Sequence, residues 1–420
     1  MNTQAVMSAS TVRAPPIFML GMLSALGLFA TNIYLPSLPA IADALHTTTS
    51  GAQTTVTVFM LTFAVAQLLF GPITDRYGRR RVLVAGLFIY SAASIAGMLA
   101  TDIQSLIVAR CVQAVGACSA AVIARAIVRD VFDGLAIFRA MAVVSAFMAI
   151  APGLMPAIGG LLQDTFGWRA NFAFVSMLGV ILIVWAIVSL RETTRETTAS
   201  LSLRSAMQSY FELIGSWRFF APALLGGLPF GGVVAYFAGG PIVFIEHLGL
   251  APWQYGLVPA FGATGVALGS ITVNRMTGRA STQSMFAIGA TFLFSGALAM
   301  LLLALSGYFT VITIVVAATV YLYGMGILIP AGTSEAMRHV APVMAGRASA
   351  MTGFLQMLMG ALGAFVVSVL PHLPLLGFPL VMMGMGATAV VVLFAYRPRQ
   401  QQVVRINARD RLTFDIPPRL

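Results

Sequence analysis

The chain has 420 residues, 59% hydrophobic and only 9% charged, with a mean hydropathy of +0.92. Soluble domains are about 45–50% apolar and about 25% charged, so this composition excludes a water-soluble globular protein. A net charge of +11 raises the question of nucleic acid, but the arginines lie in short stretches between apolar runs and in the C-terminal tail, not on one soluble face, and nucleic acid is set aside as a partner.

Apolar stretches long enough for membrane helices of about 20 residues are read at 16–37, 51–74, 82–100, 103–128, 138–163, 171–190, 220–246, 255–273, 285–305, 310–333, 345–370 and 376–395. Barrel strands would alternate in polarity over about ten residues, so the expected class is all-α and integral to the membrane, with about twelve spans. The first apolar run is long enough to span and has no small-residue cleavage site behind it, so it is expected to be retained.

The first span carries Asn32 and Tyr34 in an apolar context and is loosened beyond them by Pro36 and Pro39. After the second span comes Gly71-Pro72-Ile73-Thr74-Asp75-Arg76-Tyr77-Gly78-Arg79-Arg80-Arg81, a knot of charge that must lie outside hydrocarbon. Asp75 has two candidate partners: an arginine on a neighbouring helix, or the positive end of the helix starting at Ala345-Gly346. In the fourth span Arg110 must face a wet cavity or a partner, or else snorkel outward, and Gln113 one turn away offers a polar neighbour. Cys111 and Cys118 share that span and are expected as reduced thiols, while Arg125 and the Arg129-Asp130 pair read as interfacial anchors. The fifth span sets Pro152 and Pro156 on one face with Gly153, Gly159 and Gly160 close by, a pattern that bends a helix and permits close packing.

The polar stretch 191–219 divides the spans into two groups, 1–190 and 220–396, with a polar arginine-bearing tail at 397–420. An echo of the charged knot, Asn274-Arg275-Met276-Thr277-Gly278-Arg279, follows the eighth span as the original follows the second. Both termini placed in the cytoplasm leave only Arg169 among the loop arginines outside, as the positive-inside rule requires. The four histidines are scattered without metal-ligand spacing, and no glycine-rich piece follows a strand, so neither metal, cofactor nor ATP is expected.

The loop Gly71-x-x-x-Asp75-Arg76-x-Gly78-Arg79-Arg80 resembles the signature loop of the major facilitator superfamily, in sequence and in its place after the second span. The resemblance implies two pseudo-symmetric six-helix bundles that rock about a central cavity, with Gly71, Asp75, Arg76, Gly78 and Arg79 as a conformational latch. Arg110 to Cys118 resembles the fourth-span motif of drug-exporting members, whose arginine is tied to proton transfer. Ala151 to Gly160 resembles their antiporter motif. The end of the first span resembles the Bcr/CflA branch, which includes chloramphenicol and florfenicol exporters. That branch usually has an aspartate where this chain has Asn32, and asparagine cannot titrate. The implied function is secondary efflux of amphipathic, drug-like molecules across the bacterial inner membrane, by a monomer and in exchange for protons. Asn32, Tyr34, Arg110 and Gln113 are its candidate cavity or coupling residues. The alternative is a metabolite exporter or facilitator of the same fold without direct proton coupling. An embedded enzyme or sensor would need a soluble domain or an intramembrane polar cluster that the sequence lacks.

Overall fold

The computed structural model describes residues 15–133, 135–190, 192, 203–341 and 344–396; the side chain of Asp75 and the tail 397–420 lie outside the described part. The helices are α1 (Ile17–Asn32), α2 (Leu38–Ala44), α3 (Thr49–Tyr77), α4 (Arg79–Met98), α5 (Ile103–Val131), α6 (Leu135–Phe166) and α7 (Arg169–Ser189). They continue as α8 (Leu203–Gly215), α9 (Trp217–Pro241), α10 (Pro252–Met276), α11 (Thr282–Ser306), α12 (Val311–Arg338), α13 (Ala345–Ser368) and α14 (Gly377–Ala395). Twelve spans among the described residues are long and apolar enough to cross a membrane, α1 and α2 together making the first. Their outer surfaces expose Phe88, Val188, Ile312 and Phe394, apolar side chains that water would penalise and lipid does not.

Local chemistry sets where the helices start and break. Side-chain oxygens of Thr48, Asp102, Ser281 and Thr310 accept backbone N–H groups at the starts of α3, α5, α11 and α12. The first span does not run straight: α1 stops at Asn32, Leu35–Ser37 form a single 3₁₀ turn, and α2 continues with Pro39 in its first turn. Pro36 and Pro39 have no N–H to donate into an unbroken helix. Pro152 and Pro156, by contrast, lie within the single continuous helix α6.

One buried core is built mainly from α1 to α7 and another from α9 to α14. Between these groups α6 packs on α10, and α3 on α13. The stretch 191–219, expected as a loop, contains a helix. In α8, Tyr210 and Leu213 turn inward while Phe211 and Ile214 stay exposed. Its polar and apolar residues alternate at helical spacing, so a count of polar residues alone concealed it. Tyr210 donates from its hydroxyl to the Leu68 carbonyl on α3 at 3.1 Å, and α8 packs on α9 and α13.

Candidate functional site

Five helices converge on the break in α1. Tyr34 sits in the break, 1% exposed, with its hydroxyl 3.0 Å from that of Thr55 on α3. Arg110 of α5 is fully buried, and its guanidinium lies between two rings, 4.4 Å from the centroid of Tyr34 and 4.1 Å from that of Phe59 on α3. Its Nη1 donates to the Ala30 carbonyl at 3.1 Å and to Gln113 Oε1. Gln113 in turn donates through Nε2 to Ser94 Oγ on α4 at 2.8 Å. From α7, Asn171 Nδ2 donates to Ser37 Oγ at 2.8 Å.

No described carboxylate pairs with Arg110. An ion taken out of water costs several kcal/mol unless other groups replace its hydration. Here the replacements are two π-faces, each worth about 2 kcal/mol or more when desolvated, together with a carbonyl and an amide oxygen. The guanidinium Nε and Nη2 have no hydrogen-bond partner among the described residues. The structure therefore brings Tyr34, Arg110 and Gln113 into one buried cluster. Asn32 stands apart from it. Also buried, it donates its own Nδ2 back to the Leu28 carbonyl at 2.8 Å, a bond that an ionised aspartate could not make.

The glycine face of α6 closes against this break. A Cβ on Gly159 would lie 1.6 Å from the Ile33 carbonyl oxygen, and one on Gly160 would lie 2.4 Å from the Pro252 oxygen of α10. Gly153 faces Ala260 farther along α10, and the carbonyl of Pro156 lies against Gly256. One helix thus touches the broken backbone of α1 and the start of α10 at successive residues. Further bonds join the two groups of helices at the same end, which is the face opposite the 71–81 loop. Thr49 Oγ1 donates to Glu246 Oε1 at 2.7 Å, Gln53 Nε2 to the Ala238 carbonyl at 2.8 Å, and the Trp253 N–H to Asp164 Oδ2 at 3.2 Å.

At the loop face, Gly78 turns the chain between α3 and α4 with φ +91° and ψ 145°, a conformation that is costly for any residue with a Cβ. Arg79 then makes a compact set of contacts: its N–H donates to Glu192 Oε1 at 2.7 Å, its Nη1 to Thr74 Oγ1 at 2.6 Å and its Nε to Asp130 Oδ2 at 3.2 Å. Arg80 Nη2 donates to the Ile187 carbonyl at 3.0 Å. Thr74, Asp130 and Ile187 lie within the first group of helices, and Glu192 just beyond the end of α7. Arg76 is exposed and stacks on Tyr77, while Gly71 faces the cavity at the end of α3. Asp130, read from sequence as an interfacial anchor, is here a partner of Arg79. Its level at the end of α5, matching the level of the loop, was the available signal. For Glu192 and Phe59 the sequence offered none, because Glu192 arrives from the stretch after α7 and Phe59 from α3, each far in sequence from the residue it meets.

The second group of helices repeats this arrangement loosely. Gly278 also has positive φ, at +79°. The end of α12 carries the buried Glu335, which accepts from Tyr396 at 3.2 Å, from Thr282 at 3.4 Å and from Arg338 at 3.4 Å, with His339 Nε2 at 3.5 Å. Burial, and then the Glu335 carboxylate, push the Tyr396 phenol up to about 12, so it stays protonated and donates.

A model of the Major Facilitator Superfamily matches residues 17–364. The MFS-type transporter YdgK of Bacillus subtilis (strain 168) is 30% identical over 358 residues, covering 84% of this chain and 88% of that protein. Multidrug resistance protein D of Escherichia coli (strain K12) is 29% identical over 378 residues, 89% of this chain and 94% of that protein. A chloramphenicol resistance protein of Pseudomonas aeruginosa is 26% identical over 368 residues, 86% and 85% of the two chains.

Proposed function

The chain belongs to the major facilitator superfamily and is a transporter, not an enzyme, and from that premise we propose that it exports amphipathic, drug-like molecules across the bacterial inner membrane by alternating access, as a monomer and in exchange for protons. The two bundles, 1–190 and 220–396, are the moving bodies, with 191–219 linking them. Both termini and the 71–81 loop are cytoplasmic, since that orientation keeps the clustered arginines inside.

The observation that carries the reading is the junction at the break in α1. α6 meets α10 of the second bundle at Gly160 and, one residue earlier at Gly159, bears on Ile33, between Asn32 and Tyr34. Tyr34 holds one face of Arg110. Closure of the outer face and the environment of a buried cation are therefore mechanically continuous, which is what coupling a motion to a site requires. Gly71, Asp75, Arg76, Gly78 and Arg79 act as the latch on the cytoplasmic side, and Asn32, Tyr34, Arg110 and Gln113 line the cavity or coupling site. The drug cargo is supported by the relatives named for multidrug and chloramphenicol resistance. The test is expression in a strain lacking its major exporters, with accumulation measured across a broad drug panel. At least one compound should accumulate less than in cells carrying Arg110→Ala, and equal accumulation of all of them would refute drug export.

A second reading, a proton-independent metabolite exporter or facilitator, has an observation of its own. Glu335, at the end of α12, is the only buried Asp or Glu among the described residues, and Asn32 cannot titrate. In proteoliposomes, transport that ignores an imposed pH gradient would favour this second reading, and strict dependence on the gradient would exclude it.

A further inference from the structure

At the loop face, α3, the start of α4, α5, α6, α8 and α13 surround a cavity of about 350 Å³, within the roughly 300–1,000 Å³ typical of small-molecule sites. Four arginines are among its lining residues, Arg79, Arg125, Arg129 and Arg347, against one described acidic residue, Asp130. Asp130 is engaged by Arg79 at 3.2 Å. Arg125 spends Nε on the Ala121 carbonyl at 3.0 Å, and Arg347 spends Nη1 on the hydroxyl of Ser209, so neither bond neutralises a charge. Among the described residues no ion pair joins Arg125, Arg129 or Arg347 to a carboxylate.

Like charges converging on one cavity repel unless an anion lies among them. Arginine forks match phosphate oxygens in geometry as well as in charge. Of α8, Tyr210 lines the cavity, while Phe211 and Ile214 of the same helix are exposed, as is Trp217 at the start of α9. Exposed aromatic and aliphatic side chains beside arginines are what the headgroup region selects.

We propose that this cavity binds a phosphate-bearing anion, its phosphate held by Arg125 and Arg129 of α5 and by Arg347 of α13. The proposal holds whatever the cargo is. Because α5 and α13 belong to different bundles, a bound phosphate supplies an attraction between them at the loop face and opposes their separation there. The phosphate has two possible sources: an anionic lipid headgroup entering from the bilayer, or a free phosphate from water.

The full chain in nanodiscs tests the site. Melting temperature is measured in phosphatidylcholine alone, with added phosphatidylglycerol, and in phosphatidylcholine with added inorganic phosphate. A rise of roughly 2–4 °C or more is expected from at least one addition. A rise with phosphatidylglycerol only identifies a headgroup site, and a rise with inorganic phosphate identifies a site for the free anion. The double variant Arg129→Gln/Arg347→Gln should lose the rise, while Arg275→Gln/Arg279→Gln, in the corresponding loop of the second bundle, should keep it. No rise from either addition, an equal rise in the first double variant, or an equal loss in the second overturns the proposal. Should the first double variant not fold, the exposed Arg129→Gln alone should diminish the rise, and an undiminished rise is equally fatal.

Discussion

Arg110 is stabilised here by surfaces rather than by a counter-ion. A guanidinium is planar and weakly hydrated, so it can lie between Tyr34 and Phe59 while still donating to Ala30 and Gln113. A lysine keeps the charge but loses the fork and the flat stacking face. Arg110→Lys should therefore lower the melting temperature of the purified protein and cut transport at least about tenfold, the equivalent of roughly 1.4 kcal/mol; a variant matching wild type in both assays would show that charge alone suffices. Asn32→Asp probes the neighbouring position. Its carboxylate, once ionised, can no longer donate to the Leu28 carbonyl, so the bond at 2.8 Å is available only to the protonated form. The variant should make transport more dependent on pH than wild type, and superimposable pH profiles would remove Asn32 from the coupling path. The charge and depth of Arg110 and the presence of Gln113 one turn away were legible in the sequence, because both lie on one helix. The aromatic sandwich was not, since Phe59 is supplied by α3 and Tyr34 by a break in α1.

At the scale of elements, α6 is the connecting piece. Its prolines and glycines mark a bent, closely packed helix in the sequence, but the partners of each glycine emerge only in three dimensions. Gly159 meets the Ile33 carbonyl and Gly160 the Pro252 carbonyl, and backbone cannot yield as a flexible side chain can. Gly159→Val should hold α6 off the broken end of α1. An overpacking cost of about 1–3 kcal/mol predicts slower transport by roughly five- to a hundredfold, with increased labelling of cysteines placed on the outer face. Unchanged labelling would dissociate the glycine from closure. The loop-face clusters illustrate the opposite case. Arg79 with Asp130, and Thr282 with Glu335, occupy matching places in the two groups of helices. The first loop advertises itself by charge density, whereas the second has Asn274 in the place of the acid and only the carboxylate of Glu335, at the end of α12.

For the whole molecule, the two groups of helices are fastened at the face opposite the 71–81 loop by Thr49 to Glu246, Gln53 to Ala238 and Trp253 to Asp164. If alternating access requires these contacts to part, a thiol cross-linker bridging Thr49→Cys and Glu246→Cys, in a background lacking Cys111 and Cys118, should abolish transport. Reductive cleavage of the bridge should restore it, and full transport with the bridge intact would rule out opening at this face. The sequence by itself determined the solvent in which this chain folds, its twelve spans, its family and the identity of its charged loop. Each of these follows from local quantities: the length of apolar runs, the cost of charge in hydrocarbon and the spacing of residues on one helix. Only the tertiary structure decided which side chains surround Arg110, that α6 links the break in α1 to α10, that a helix lies within the connecting stretch, and that four arginines from three helices share one cavity. Helices of similar hydrophobicity carry almost no label of their neighbours. Their pairing is settled by backbone approach and by buried polar groups finding partners across long sequence separations.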